Sequence, residues 1–269
     1  MPELPEVETI TNNLRPQITN KQITACVVNW DRSIAFPLAQ QFQSQIVNQK
    51  IVALSRRGKF IQIQLTQDFL LIHLRMSGDL LVYPASYHVT KHDQVLFYLD
   101  NDSILVFHDT RKFGKMWLID NPGELFAKLG PEPFSDQLTP QAFHALLQSK
   151  KRQLKPLLLD QTFLAGLGNI YTDEALFGAC LSPLTNSAEV SLIQAEILLA
   201  SIRDVLSAGI KNNGATIDWV YRGGKFQNHF RVYQRTGLPC FMCGTPIKKI
   251  SLGQRSTHFC PSCQALSGA

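Results

Sequence analysis

Four of the six cysteines fall in the last thirty residues, as two pairs of identical internal spacing: Cys240-Phe241-Met242-Cys243 and, 16 residues later, Cys260-Pro261-Ser262-Cys263. Few folds satisfy that pattern. Two C-x2-C knuckles at this separation bring four thiolates to one tetrahedral zinc ion and close its coordination, leaving no open position for catalysis. Gly244-Thr245-Pro246 supplies the turn that a knuckle needs, and Arg255, midway between the pairs, falls on the hairpin that the metal would organise. A redox role suits two matched pairs in a basic segment less well. The other two cysteines, Cys26 and Cys180, are isolated and are expected to be buried thiols. Nothing suggests a secreted disulfide scaffold.

Charge is as unevenly distributed as cysteine. No acidic residue follows Asp218, whereas Arg222, Lys225, Arg231, Arg235, Lys248, Lys249 and Arg255 do, so the last 51 residues carry +7 and the preceding 218 carry −2, for a net +5. A basic block of this kind points to a polyanion, most simply nucleic acid. Trp219, Tyr221, Phe226, Phe230, Tyr233 and Phe241 are interleaved with the charges, which a disordered tail would lack.

Between Lys21 and Ile119 the pattern is mostly strands. Residues 22–28 and 46–54 are rich in β-branched types, and Phe60-Ile61-Gln62-Ile63-Gln64-Leu65 alternates with period two. Turns are expected at Arg56-Arg57-Gly58-Lys59 and at Asp100-Asn101-Asp102-Ser103. This reads as two packed antiparallel sheets with a helix laid against them. Residues 121–140, rich in proline and glycine, form a linker, after which helical patterns occupy about 140–148, 153–160, 170–178 and 188–208. The expected division is 1–130 for a β-sandwich domain, 131–237 for a helical domain and 238–269 for the cysteine module. No apolar run is long enough to span a bilayer, and the chain is expected to be soluble and cytoplasmic.

The chain opens Met1-Pro2-Glu3-Leu4-Pro5-Glu6-Val7-Glu8. Once Met1 is removed, Pro2 is a free secondary amine. Such α-amino groups titrate at about 7.7–8.0, so it could attack a carbon centre and form an iminium ion, with Glu3 beside it to move a proton. The plainer reading is a helix start: Pro5 in the first turn, Glu6 and Glu8 at its positive end, and Val7, Ile10 and Leu14 on one face.

Further motifs carry chemistry. Leu164-Ala165-Gly166-Leu167-Gly168-Asn169-Ile170-Tyr171 is a glycine-containing turn between helical stretches, with Asn169 placed as an N-cap at a helix end that could bind phosphate; a plain helix hairpin is the alternative. His73-Leu74-Arg75-Met76-Ser77-Gly78 puts a methionine at a turn, where it is either a core residue or exposed. His108-Asp109-Thr110-Arg111-Lys112-Phe113-Gly114 combines cations with an aromatic on a loop. A protein that extrudes a nucleotide must fill the vacated stack, and a thioether, a phenyl ring and a guanidinium suit that task. Lys59, beside Gly58, is a surface lysine, a phosphate contact or a catalytic group.

Taken together and in this order, MPELPEVE, RRGK at 56–59, HLRMSG at 73–78, DTRKFG at 109–114, GLGNIY at 166–171 and the C-terminal cysteine pairs resemble the formamidopyrimidine-DNA glycosylase family over essentially the whole chain. The sister endonuclease VIII group has glycine where this chain has Leu4 and prefers oxidised pyrimidines; it is the alternative, as is a non-catalytic zinc-containing binder of damaged DNA. The resemblance implies an α+β fold: an N-terminal antiparallel β-sandwich with flanking helices, then a helical domain with a helix–two-turns–helix and a zinc-finger β-hairpin. It also implies a base-excision repair glycosylase and AP lyase that acts on oxidised purines in double-stranded DNA, as a monomer with one structural Zn2+.

By the same resemblance Pro2 is the nucleophile, Glu3 the proton-transfer residue and Lys59 the catalytic lysine, while Glu6 matches a family carboxylate without a settled role. Met76, Arg111 and Phe113 match the trio that fills the stack; His73, His92, Asn169 and Arg255 match DNA contacts, and Cys240, Cys243, Cys260 and Cys263 the metal ligands. Two departures stand out. Gln94 replaces a frequent second histidine, and Asp218 stands where a basic residue is usual in the loop thought to cover the flipped base.

Overall fold

The structure, a computed structural model, describes residues 1–216 and 223–266. The chain divides into two compact units, one holding residues 1–127 and the other residues 128–215 and 224–266. The division falls inside the proline- and glycine-rich stretch.

The first unit begins with α1 (Leu4–Ile18). Glu3 is its N-cap in extended conformation, Pro5 lies in the first turn, and the Glu6 carboxylate accepts the Glu3 backbone N–H at 2.8 Å, half of a capping box. Val7, Ile10, Leu14 and Ile18 recur at helical spacing and are all buried.

Nine strands of this unit form two sheets. One runs in the order β1 (Ile23–Val28), β7 (Asp93–Leu99), β8 (Ser103–Asp109), β6 (Gly78–Pro84), all antiparallel. The other runs β2 (Ile34–Phe36), β9 (Lys115–Ile119), β5 (Phe69–His73), β4 (Phe60–Leu65), β3 (Ile51–Arg57). Its pairs are antiparallel except β2 with β9, which are parallel. Ile61, Ile63 and Leu65 turn inward while Gln62 and Gln64 alternate outward, as period two demands. One core joins the facing sides of both sheets (Ile63, Ile72, Met116; Val95, Phe97, Phe107) to α1 and to α2 (Ala39–Ile46) through Phe42 and Ile46. The helix α2 was not expected: its glutamines hide a pattern that rests on those two residues. A short α3 (Gly123–Phe126) closes the unit, with Phe126 against Phe60 at 5.8 Å.

The second unit contains α4 (Pro140–Gln148), α5 (Leu154–Leu158), α6 (Asn169–Gly178), α7 (Leu192–Lys211) and the hairpin β10 (Lys248–Leu252) with β11 (Arg255–Phe259). Thr139 caps α4 through Ala142 N–H, and Ser191 forms a capping box with Gln194 at the start of α7. Helices α4 and α6 pack on α7, burying Phe143, Leu147, Leu198 and Ile202. From residue 224 to residue 266 the basic segment is folded: Phe226 stacks on Tyr171 at 5.0 Å, and Phe230 meets Tyr233 at 5.3 Å. Of the isolated cysteines, Cys26 is buried, and burial pushes its thiol up to about 12. Cys180 is exposed, contrary to expectation, because it follows the end of α6 in a left-handed turn, φ 54°. Among the described residues no helix is long and apolar enough to cross a membrane.

Candidate functional site

In the first unit Pro2 and Glu3 are buried at the head of α1, with Met1 exposed ahead of them. The helix-start reading is what the geometry shows: Glu3 and Glu6 form the helix start, and that start fixes the backbone immediately after Pro2. Lys59 is buried in the two-residue turn between β3 and β4, where Gly58 takes φ 56°, accessible to glycine without strain. Helix α1 packs on β3 and β4 and is tied to the same turn by charge. Glu8 accepts from Arg56 Nε at 2.8 Å, and Arg56 Nη1 donates to the Gly58 carbonyl at 2.9 Å. Neither Glu8 nor Arg56 stood out in the sequence as more than part of a motif, because their link spans 48 positions.

Met76 and Phe113 are 39% and 48% exposed, so the methionine is not a core residue. Each lies next to a non-glycine residue in left-handed backbone, Arg75 at φ 57° and Lys112 at φ 59°, a conformation that persists only where surroundings impose it. The Arg111 guanidinium lies 5.0 Å from the Phe113 ring centre, and the Lys112 ammonium 4.2 Å from that of Trp30. The surroundings that impose the loop shape centre on Asp109, which is fully buried. Its Oδ1 accepts from Ser77 Oγ and from Arg111 N–H (3.2 Å), its Oδ2 from Gly114 N–H at 2.7 Å. A Cβ on Gly114 would stand 2.3 Å from the Phe107 ring, so only glycine fits there.

His73 is nine-tenths buried, edge-on to Phe60 at 4.8 Å, and its Nδ1 accepts the Arg75 backbone N–H at 3.0 Å. Burial, reinforced by the cations of Arg75 and Lys59, lowers its pKa to about 3. It is therefore a neutral imidazole with its hydrogen on Nε2. His92 lies in the turn before β7, its carbonyl accepting the Asp109 N–H at 2.8 Å. Gln94 is buried, and its amide donates to the Asp109 carbonyl at 3.0 Å, so this side chain braces the loop from within. Asp218 lies outside the described residues.

In the second unit Gln161 staples the turn between α5 and α6. Its amide donates to the carbonyls of Leu159 and Leu167 at 2.9 and 2.8 Å and accepts from Gly166 N–H at 2.9 Å. Asn169 was expected to cap α6, but the cap is Gly168. The reason is the hairpin packed on α6: Asn169 Nδ2 donates to the Ser256 carbonyl at 2.9 Å, and its Oδ1 is buried with no partner among the described residues. The fully buried Asp173 gives one oxygen to Lys155 Nζ at 2.5 Å and the other to His258, backbone N–H and Nδ1, at 3.0 and 3.1 Å. Lys155 also donates to the Asn169 carbonyl at 3.1 Å. Glu174 accepts the backbone N–H groups of Arg231, Val232 and Tyr233; burial pushes its carboxyl up, partly offset by those donors. Lys155, Asp173, Glu174 and His258 were all missed, since a buried polar network has no local spacing to betray it.

The four cysteine sulfurs lie within 4.8 Å of one another. Cys240 and Cys263 are 3.9 Å apart and Cys243 and Cys260 3.5 Å, far beyond a disulfide and around the ~3.8 Å edge of a tetrahedron with Zn–S bonds of about 2.3 Å. Met242 N–H and Cys263 N–H each point to a knuckle sulfur at 3.4 Å. The set could hold one zinc ion. Cys240 and Cys260 share a buried cluster with Phe177 of α6 and Val232. Arg255 is exposed at the hairpin tip, next to a two-residue turn in which Gly253 and Gln254 both have positive φ, 55° and 60°.

Fold and site define a class: proteins that combine a β-sandwich unit with a helix–two-turns–helix unit carrying a four-cysteine zinc finger. Domain families agree along the chain. Residues 1–116 match the formamidopyrimidine-DNA glycosylase N-terminal domain, 129–220 its H2TH domain, and 237–266 a zinc finger found in FPG and IleRS. The chain is 42% identical to the formamidopyrimidine-DNA glycosylase of Chloroflexus aurantiacus, covering 98% of both chains, and 40% identical to that of Enterococcus faecalis, covering 100% of this chain and 99% of the other. Among solved structures it is similar to MutM in complex with DNA containing carbocyclic 8-oxo-G (TM-score 0.92, 34% identity, 98% of this chain and 100% of that). It is equally similar to the Lactococcus lactis enzyme bound to DNA with an AP site (TM-score 0.91, 34% identity, same coverage). The chain belongs to the formamidopyrimidine-DNA glycosylase family.

Proposed function

We propose that the protein is a bifunctional DNA glycosylase and AP lyase of base-excision repair, removing 8-oxoguanine and formamidopyrimidines from duplex DNA. The observation that carries this reading is the whole-chain match to relatives of that name, on a chain whose Pro2-Glu3 start is buried on the helix that braces the Lys59 turn.

In this reading the Pro2 nitrogen, freed of Met1, attacks C1′ of the damaged nucleoside and the base leaves with the C1′–N bond pair. Opening of the sugar ring gives an iminium. A secondary amine forms an iminium with no N–H to lose, so the positive charge stays and draws electrons from C2′. Loss of the C2′ proton expels the 3′ phosphate, and a second elimination expels the 5′ phosphate. Glu3 moves the proton at the sugar ring. Lys59 assists from its turn, and Glu6 holds the Glu3 backbone still. Met76, Arg111 and Phe113 fill the vacated stack, with Arg111 toward the orphaned base, and Arg255, Asn169, His92 and His73 hold the DNA. Zinc, when bound, has a structural role: it holds the hairpin that carries Arg255. Duplex DNA bearing oxidised bases or abasic sites is the partner, a monomer suffices, and the substrate places the work at the nucleoid in the cytoplasm.

Borohydride trapping tests the reading: the purified protein should form a covalent adduct with an 8-oxoguanine duplex, and Pro2→Gly should abolish or greatly weaken it. An undiminished adduct in that variant would move the nucleophile elsewhere.

A further inference from the structure

One cluster in the first unit has no part in that chemistry. Asp93 opens β7 with its side chain wholly buried and both carboxylate oxygens engaged. Oδ1 lies 2.8 Å from His108 Nδ1, and Oδ2 accepts from Thr90 N–H at 2.6 Å and from the Tyr87 hydroxyl at 3.1 Å. Burial pushes this carboxyl up, but the donors from Thr90, His108 and Tyr87 outweigh it and hold it below the usual carboxylate range. Ionised, Asp93 has no proton to give, so the hydrogen shared with His108 sits on imidazole Nδ1. That assignment turns Nε2 of His108 away from Asp93, on a side chain 31% exposed. The His92 ring stands beside it, 5.7 Å between centres at 70°. Both rings are close to the Asp109 loop, since His108 precedes Asp109 and the His92 carbonyl holds the Asp109 N–H.

With Nδ1 already a donor, Nε2 of neutral His108 can only accept; it donates only in the imidazolium. We propose that His108 is a phosphate-binding residue of this protein, gripping a DNA backbone phosphate alongside His92 through Nε2–H of its imidazolium. The proposal rests on the reading of His92 as a DNA contact given above. The titratable groups against His108 among the described residues are Asp93, with Tyr87 bonded to it, and His92 from β7 and the turn before it, and Asp79, its cross-strand partner on β6.

The test is equilibrium binding of the full-length protein to a duplex carrying a tetrahydrofuran abasic analogue, from about pH 6 to about pH 8.5. Wild type, His108→Gln, whose amide can still donate to Asp93, and His108→Arg are compared. Near pH 6 wild type should bind ~10-fold more tightly than His108→Gln, with a salt dependence steeper by about 0.9 in log–log slope. The gap should close as pH rises, and His108→Arg should retain tight binding throughout. Parallel profiles for wild type and His108→Gln would overturn the assignment, as would a drop in melting temperature with no pH-dependent gap, which would make His108 a clamp for the turn. Borohydride trapping on an abasic duplex by wild type whose first residue is confirmed as Pro2 by intact mass separates the two readings: trapping with parallel profiles removes only the His108 assignment, whereas no trapping removes the reading of Pro2 as the iminium-forming amine.

Discussion

The Ser77 hydroxyl donates to the Asp109 carboxylate, and the Arg111 backbone N–H meets both, at 3.0 Å to Ser77 Oγ and 3.2 Å to Asp109 Oδ1. The loop that carries Met76 and the loop that carries Arg111 and Phe113 are thereby one braced body.

Asp109→Asn turns one buried acceptor into a donor that faces another donor, Gly114 N–H or Arg111 N–H. The expected loss is about 1–3 kcal/mol by urea denaturation, against about 1 kcal/mol for Ser77→Ala. Discrimination among bases opposite the lesion should fall more in Asp109→Asn than in Ser77→Ala; equal discrimination in all three proteins would show that the brace does not position Arg111.

Arg56→Ala removes the Nε donor to Glu8 and the Nη1 donor to the Gly58 carbonyl. Single-turnover excision should slow at least ~10-fold while binding to an abasic analogue holds, because the Lys59 turn loses its tie to α1. Weakened binding with unchanged chemistry would place the effect elsewhere.

His73 titrates from 6.5 in the unfolded chain to about 3 in the folded one. Between those values the unfolded state binds the extra proton, so stability falls as pH drops below about 6.5, with a slope approaching 1.4 kcal/mol per pH unit from this group. Urea midpoints at pH 5 and pH 7 should differ less in His73→Gln than in wild type.

Chelation of zinc, or Cys240→Ser, should lower DNA affinity and the protection of α6 amides together, because the cysteines and Phe177 share one cluster. Full binding after both treatments would refute the structural role of the metal.

Lys155→Met removes the ammonium from Asp173 and leaves a buried charge held by His258. A loss of about 3–5 kcal/mol is expected. The measurement is calorimetric melting, with the hairpin amides exchanging first.

What could be read in advance was what has a short period or a short motif. The alternation of Phe60 to Leu65, the apolar face of α1 and the cysteine pairs each declare themselves within a few residues, and the helices after residue 139 fall close to their expected positions. The supports were not legible. Asp109, Lys155, Asp173 and Glu174 act through partners 18 to 85 positions away, apart from their nearest backbone contacts. Asn169 shows the limit from the other side: a local rule made it a cap, and a hairpin 87 positions away took its amide instead.

The burial of Pro2 behind an exposed Met1 bears on how this protein is handled at the bench. If the amine of Pro2 is the nucleophile, then any residue left ahead of it converts that nitrogen into an amide. Recombinant protein with an affinity tag at the N-terminus would melt normally, hold zinc and bind DNA, and still be silent in every trapping assay. A tag cleaved to leave Pro2 as the first residue, checked by intact mass, is the form in which the chemistry can be judged.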